Sequence, residues 1–214
     1  MGKIYTALGL MSGTSGDGVD ASIISSDGID QYSEILNKYF EYDQKIHENL
    51  HNLRGKILNF EDLKKNENAI NELEKEITLF HAKIVNEIFE TTNEVIDFIG
   101  FHGQTIYHNP SEKISKQIGD GNLLSQLSKK TVIYNFRQND IKNGGEGAPL
   151  VPIFHRLIVK QKKIKLPVCI LNIGGIANIT AISEYDENNF LSRDLGPGNC
   201  LIDEWIRKNT KNKF

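Results

Sequence analysis

The sequence predicts an α/β protein built from two similar lobes, the second of them incomplete. A short apolar run, Tyr5 to Met11, ends in a Gly/Ser/Thr cluster and resumes as the β-branched run Val19 to Ser25, which reads as strand, tight turn, strand. Helical and strand-like segments then alternate as far as the basic stretch Lys160 to Lys165, as in a sheet covered by helices. Past that stretch the opening pattern restarts: Val168 to Ile173 is apolar, Gly174-Gly175 turns, and Ala177 to Ser183 returns.

Each element has its own signal. A third strand is expected around Tyr32 to Phe40, and Asp43 can cap a short helix in which Ile46, Leu50 and Leu53 fall at helical spacing before Gly55 stops it. Ile70, Leu73, Ile77, Phe80, Ile84 and Ile88 step by three or four and mark the buried face of a long helix. His81 and His155 fall in helical patterns and read as packing or surface residues. Val95 to Phe101 reads as a central strand, with His102-Gly103-Gln104-Thr105 leaving its C-terminal end, where open α/β sheets place ligands. A helix at Leu123, Leu124 and Leu127, a strand at Thr131 to Phe136 and a helix opened by Pro152 follow. Phe190 to Asp194 reads as the third strand of the restarted unit, and Asn199 as the cap of a helix burying Leu201, Ile202 and Trp205. The lobes are expected at residues 1–160 and 166–214, joined by a solvated lysine-rich linker. A second lobe that stops there exposes apolar strand surface, so the chain is expected to be partial.

Composition narrows the function. The 214 residues are 39% hydrophobic and 25% charged, enough for a real core. Lys plus Arg number 25 against 28 Asp plus Glu, a net charge of -3, which lacks the basic field that nucleic-acid binding uses and makes small molecules the default substrates. Two isolated cysteines, Cys169 and Cys200, suggest neither a disulfide framework nor a zinc cluster and fit a reducing cytoplasm. The start, Met-Gly-Lys-Ile-Tyr, runs into a strand without an export signal, and no apolar run is long enough to span a bilayer.

The turn Gly13-Thr14-Ser15-Gly16-Asp17-Gly18 is the first candidate for chemistry. Backbone N–H groups and small residues can cradle phosphate oxygens, and glycine allows the close approach this requires. The turn lacks the Lys-Ser or Lys-Thr of a P-loop and is followed by a strand rather than the helix of a dinucleotide fingerprint, so as pattern alone it is equally a plain hairpin turn. Three more polar, glycine-rich clusters end expected strands: Phe101 to His108, Asn135-Phe136-Arg137 leading to Asn143 through Pro152, and Arg193 through Asn199. Four such clusters on one edge read as a cleft. The spacing of His102 and His108 fits no helical zinc pair, so no zinc is expected.

The chain resembles the anhydro-N-acetylmuramic acid kinase family. The resemblance rests on Leu10-Met11-Ser12-Gly13-Thr14-Ser15-Gly16-Asp17-Gly18-Val19-Asp20, His102-Gly103-Gln104-Thr105, Gly144-Gly145-Glu146-Gly147-Ala148-Pro149-Leu150-Val151-Pro152, Asn172 to Asn178, and Gly196-Pro197-Gly198-Asn199. It implies the two-lobed actin-like, ribonuclease H-like ATPase fold, with ATP between the lobes, and a chain that continues beyond Phe214. It also implies a reaction: water opens the 1,6-anhydro bond of anhydro-N-acetylmuramic acid while ATP, with Mg²⁺, phosphorylates the 6-oxygen, a step of cell-wall recycling. By that resemblance Asp194 is the base that takes the proton of the water. Gly13, Thr14, Ser15, Gly16, Asp17, Gly18, Val19 and Asp20 hold the ATP phosphates, and Asp17 or Asp20 reaches Mg²⁺. His102, Gln104, Arg137 and Asn199 contact the sugar, with the Arg137 fork on a carboxylate or phosphate. A homodimer is implied as well. This chain departs from the family at Gly16 (usually a larger apolar residue), Asn135 (usually Asp), Glu146 (usually Gln) and Leu195 (usually Thr). Two other readings are a chaperone- or actin-like nucleotide module, and an inactive fragment.

Overall fold

A computed structural model describes residues 3–185 and 190–210. The chain forms two compact units, Met1–Gly28 with Tyr32–Gly147, and Ile29–Gln31 with Ala148–Phe214.

In the first unit, strands β1 (Tyr5–Met11), β2 (Gly18–Ser26) and β3 (Tyr32–Glu41) are followed by helices α1 (Gln44–Arg54), α2 (Phe60–Lys65) and α3 (Glu67–Thr91). Strand β4 (Phe98–Phe101), the hairpin β5 (Gln104–Asn109) and β6 (Ile114–Ile118), helix α4 (Gly121–Ser128), strand β7 (Thr131–Tyr134) and helix α5 (Phe136–Lys142) complete it. The main sheet runs β3-β2-β1-β4-β7. Its first three strands are antiparallel, and β4 pairs in parallel with β1 and β7. An antiparallel meander extended by parallel strands that helices separate is an α/β lobe of the actin-like, ribonuclease H-like ATPase kind.

Local signals explain most of this unit. The Asp43 carboxylate accepts the Ile46 N–H at 2.8 Å and caps α1, which ends at Gly55 and buries Ile46, Leu50 and Leu53. Helix α3 buries Ile70, Leu73, Ile77, Ile84 and Ile88 as its spacing predicts, with Phe80 packed at the margin. These side chains share one core with Leu8, Leu10, Val19, Ala21, Ile23, Ile99 and Phe101. Each fully buried aliphatic group contributes about 1.5–3 kcal/mol.

The sheet departs from the expected spans in two places. Strand β4 starts at Phe98 rather than Val95, which is 78% exposed. Register decides this: the Asp97 N–H donates to the Thr6 carbonyl and its carboxylate accepts the Thr6 N–H, each at 2.8 Å, so pairing with β1 begins there. Strand β7 stops at Tyr134 because Asn135 takes a left-handed φ of 63° and turns the chain into α5. The β5–β6 hairpin and helices α2 and α5 have no counterpart in the sequence reading.

The second unit contains helix α6 (Pro152–Gln161), strands β8 (Val168–Ile173), β9 (Ile176–Ile182) and β10 (Phe190–Pro197), and helix α7 (Cys200–Asn209). Its sheet is antiparallel in the order β10-β9-β8. The restarted strand, turn and strand are therefore present, in a partial second lobe. Leu171, Ile173, Leu191 and Leu195 are exposed, the apolar strand surface expected of an incomplete lobe. Helix α7 corrects the sequence reading. Leu201, Ile202 and Trp205 are 64%, 60% and 64% exposed, because none of the described residues covers that face. Nor does the Asn199 side chain cap the helix; its amide donates instead to the Ile173 carbonyl at 3.3 Å.

Candidate functional site

The turn between β1 and β2 is held by its carbonyls. Gln104 Nε2 donates to the Gly13 carbonyl at 2.8 Å, the Arg54 guanidinium donates to the Thr14 carbonyl, and the Tyr42 N–H donates to the Asp17 carbonyl at 2.8 Å. In a planar trans peptide the C=O and the following N–H point in opposite directions. Drawing the Gly13 and Thr14 carbonyls toward Gln104 and Arg54 therefore turns the Thr14 and Ser15 N–H groups the other way, as an anion-binding nest requires. The Gly16 N–H closes the turn on the Gly13 carbonyl at 3.2 Å, with Gly16 at a φ of 72°. A Cβ on Gly16 would stand 2.7 Å from Leu50 Cδ2, and one on Gly18 would collide with the Phe40 carbonyl of β3. In this chain the turn is packed around its glycines.

Acidic groups flank the turn. The Ser15 hydroxyl donates to Asp17 Oδ1 at 2.6 Å. Partial burial, and then the Asp17 charge, hold the Asp20 carboxyl above its usual range. The Tyr39 phenol is pushed up to about 12, first by burial and then by Asp17, Glu41 and Asp20. Negative potential gathers here, which suits a cation. Val19 differs from its neighbours in the motif, since its side chain is sealed in the core and only its backbone can face a ligand.

Beside the turn, the loop after β4 places His102 against Arg137. Nε and Nη2 of the guanidinium lie 3.2 and 3.1 Å from His102 Nε2, and His102 Nδ1 lies 2.7 Å from the Gly103 carbonyl. A guanidinium can only donate and a carbonyl can only accept, so His102 carries its proton on Nδ1 and is neutral. Burial, reinforced by the Arg137 charge, brings its pKa down to about 4. His102 lines a cavity of about 370 Å³ with Glu74, Lys116, Asn135, Gln138 and Lys142. The cavity lies at the C-terminal ends of β4 and β7, since Phe101 and Tyr134 also line it. Gln138 Nε2 fixes one wall by donating to the Ser115 carbonyl at 2.7 Å, and Glu74 fixes another by accepting the Gly119 N–H at 3.0 Å.

In the second unit, Asp194 is exposed on β10 opposite Asn178, immediately before a β-bulge at Leu195. Bulges of this kind re-aim side chains near active sites. The Asn199 N–H donates to the Gly174 carbonyl at 2.7 Å and the Gly198 N–H to the Gly175 carbonyl at 2.9 Å, tying the β10–α7 loop to the second glycine turn.

The first unit thus brings the turn, Gln104, His102 and Arg137 together, while Asp194 and Asn199 belong to the second. Gln104 is fully buried and grips the turn. Sequence reasoning missed Arg54, Tyr42 and the cavity residues Glu74, Lys116 and Gln138. Tyr42 lies in the link between β3 and α1, and each of the others comes from a helix or hairpin whose only local signal is amphipathic or polar patterning.

The family model for anhydro-N-acetylmuramic acid kinase matches residues 5–214. The chain is 62% identical over 214 residues to the anhydro-N-acetylmuramic acid kinase of Pelagibacter ubique (strain HTCC1062), an alignment that covers 100% of this chain and 57% of that one. It is 37% identical over 221 residues to the kinase of the same name from Agrobacterium fabrum (100% of this chain, 58% of the relative). For the Rhizobium etli kinase the identity is 38% over 214 residues (98% of this chain, 57% of the relative). The chain therefore spans less than two thirds of the length of these curated relatives. No helix among the described residues is long and apolar enough to cross a membrane.

Proposed function

The chain belongs to the anhydro-N-acetylmuramic acid kinase family, and on that basis we propose that it carries the phosphate-gripping turn and part of the sugar pocket of an ATP-dependent kinase. The observation that carries this reading is the tethering of the Gly13, Thr14 and Asp17 carbonyls, which turns the Thr14 and Ser15 N–H groups outward. Those donors fit a polyphosphate, and the neighbouring Asp17 and Asp20 carboxylates fit its Mg²⁺. When bound, Mg·ATP supplies the phosphoryl group and the charge that stabilises its transfer to the sugar 6-oxygen.

The remaining roles fall to the protein. Asp194 takes a proton from the water that attacks the anomeric carbon as the 1,6-anhydro bond opens. His102, kept neutral with both ring nitrogens engaged by the Gly103 carbonyl and Arg137, meets the sugar through its ring and orients the Arg137 guanidinium toward it. Arg137 holds the imidazole with two nitrogens and brings its positive charge to an anionic substituent of the sugar or to a phosphate. Gln104 acts through the turn, and Asn199 through the second glycine turn. The first lobe is read as residues 1–160 and the start of the second as 166–214, although helix α6 groups with the second compact unit. The product, N-acetylmuramic acid 6-phosphate, belongs to the cytoplasmic recovery of cell-wall sugar. A chaperone-like module that binds nucleotide alone has no use for the polar cavity at His102.

Titration of the ¹⁵N-labelled chain with Mg·ATP tests the first half of this reading. The Thr14 and Ser15 amide resonances are expected to move, and a turn that does not respond overturns the assignment. Asp194→Asn tests the second half. It should abolish ADP release that depends on the anhydro sugar while nucleotide binding survives, and turnover equal to wild type would remove Asp194 from the mechanism.

A further inference from the structure

Beneath the glycine turn lies a buried polar chain to which no role is assigned above. Ser12, at the end of β1, is 1% exposed; Tyr42, between β3 and α1, is 2% exposed; and His81, on α3, is fully buried. Ser12 Oγ lies 2.9 Å from the Tyr42 hydroxyl and 3.3 Å from His81 Nε2, and His81 Nδ1 lies 2.8 Å from the Ile77 carbonyl. The ring is fixed against Phe101, with centroids 4.8 Å apart.

The direction of every bond follows. The Ile77 carbonyl only accepts, so Nδ1 carries the imidazole proton. Burial keeps the ring neutral, which leaves a lone pair on Nε2. The Ser12 hydroxyl must donate to that lone pair, and its oxygen then accepts from the Tyr42 hydroxyl. Tyr42 also donates its backbone N–H to the Asp17 carbonyl at 2.8 Å. One residue therefore holds both ends of the turn, Ser12 through its side chain and Asp17 through its backbone.

We propose that Tyr42, Ser12 and His81 form a one-directional hydrogen-bond relay that sets the shape of the glycine turn, which makes His81 and Tyr42 positioning residues for phosphate binding. The proposal rests on the phosphate-binding reading above. It commits the Ser12 hydroxyl proton inward, so the outward donors are backbone N–H groups and not this serine. It also explains why a histidine stands among the largely apolar residues of this buried helix face: a phenylalanine there would pack as well but would leave the Ser12 proton without an acceptor in a site closed to water.

Two measurements test it. The ¹⁵N spectrum of wild-type His81 between pH 5 and 8 should show protonated Nδ1 and unprotonated Nε2. The opposite tautomer, or a charged ring, overturns the relay whether or not the protein binds nucleotide. Tyr42→Phe and His81→Phe should each shift the Thr14 and Ser15 amide resonances and weaken Mg·ATP binding about fivefold to tenfold, the worth of one net hydrogen bond. His81→Gln, which restores an acceptor, should recover part of the loss, and the His102 ring resonances should stay in place. Unchanged turn resonances in both phenylalanine variants overturn the proposal. If wild type binds no Mg·ATP, the nucleotide reading fails alone, and the tautomer and turn resonances still decide the relay.

Discussion

Replacing Gln104 with methionine separates the stability of the fold from the shape of the turn. Gln104 is fully buried; its Nε2 donates to the Gly13 carbonyl at 2.8 Å, and its Oε1 has no partner among the described residues. Methionine is close to glutamine in size and flexibility. The substitution removes one hydrogen bond, worth about 1 kcal/mol net, but also removes a buried unpaired acceptor whose burial costs about 1–3 kcal/mol. The two effects oppose each other, and relief of the orphan oxygen is at least as large. Thermal unfolding should therefore give a Tm unchanged or raised by a few degrees, since 1 kcal/mol moves Tm by about 2–4 °C in a chain of this size. Calorimetric titration with Mg·ATP should show the opposite sign. The Gly13 carbonyl keeps only the Gly16 N–H at 3.2 Å, the turn loosens, and affinity falls by about tenfold. A Tm lowered by more than about 5 °C would mean that Oε1 is paired in the folded protein, and unaltered affinity would mean that the tether does not organise the turn.

Acid should weaken the first unit through its buried histidines. His81 is held near pKa 4 by burial, against an ordinary 6.5, so the unfolded chain binds more protons between those values. The stability is complete above pH 6.5 and is lost as pH falls toward 4, by on the order of 3 kcal/mol. His102 acts in the same direction. Urea midpoints measured from pH 4 to 7 should show this slope, and His81→Phe should flatten it; an identical slope in the variant would exclude His81 as its source. Gly18→Ala should lower Tm sharply, by the equivalent of roughly 2 kcal/mol or more, because the new methyl meets the Phe40 backbone oxygen and β2 must part from β3. A wild-type Tm would show that the strands are not so closely paired. Trp205→Ser, at a position 64% exposed, should change the stability of this chain by less than about 0.5 kcal/mol, and a larger loss in a melting experiment would place the indole in a core.

Much of the fold is legible in the sequence because it follows from local periodicity. The step of three and four from Ile70 to Ile88, the Asp43 cap, the glycine at residue 55 and the strand-turn-strand that recurs at Val168 each act within a few residues of themselves. The glycine motif was legible as a candidate for the same reason, since a tight turn between two strands must be built from residues that fit it. The surroundings that hold the turn in shape were not. Arg54, Gln104, Tyr42 and His81 lie 40, 91, 30 and 69 positions from the turn residues they touch, and no local pattern records such a pairing. His81 is the clearest case. By spacing it is one more position on a buried face, and only the arrival of Ser12 from β1 gives its Nε2 something to accept. Helix α7 shows the converse, with an amphipathic pattern read correctly as a helix but wrongly as buried, because burial depends on what lies opposite. Sequence by itself determined where the strands, helices and glycine turns lie, since those follow from the dihedral and side-chain preferences of neighbouring residues. Only the tertiary structure decided which carbonyls of the turn are tied down and therefore which N–H groups face outward, because hydrogen bonds between distant segments exist only once the chain has folded.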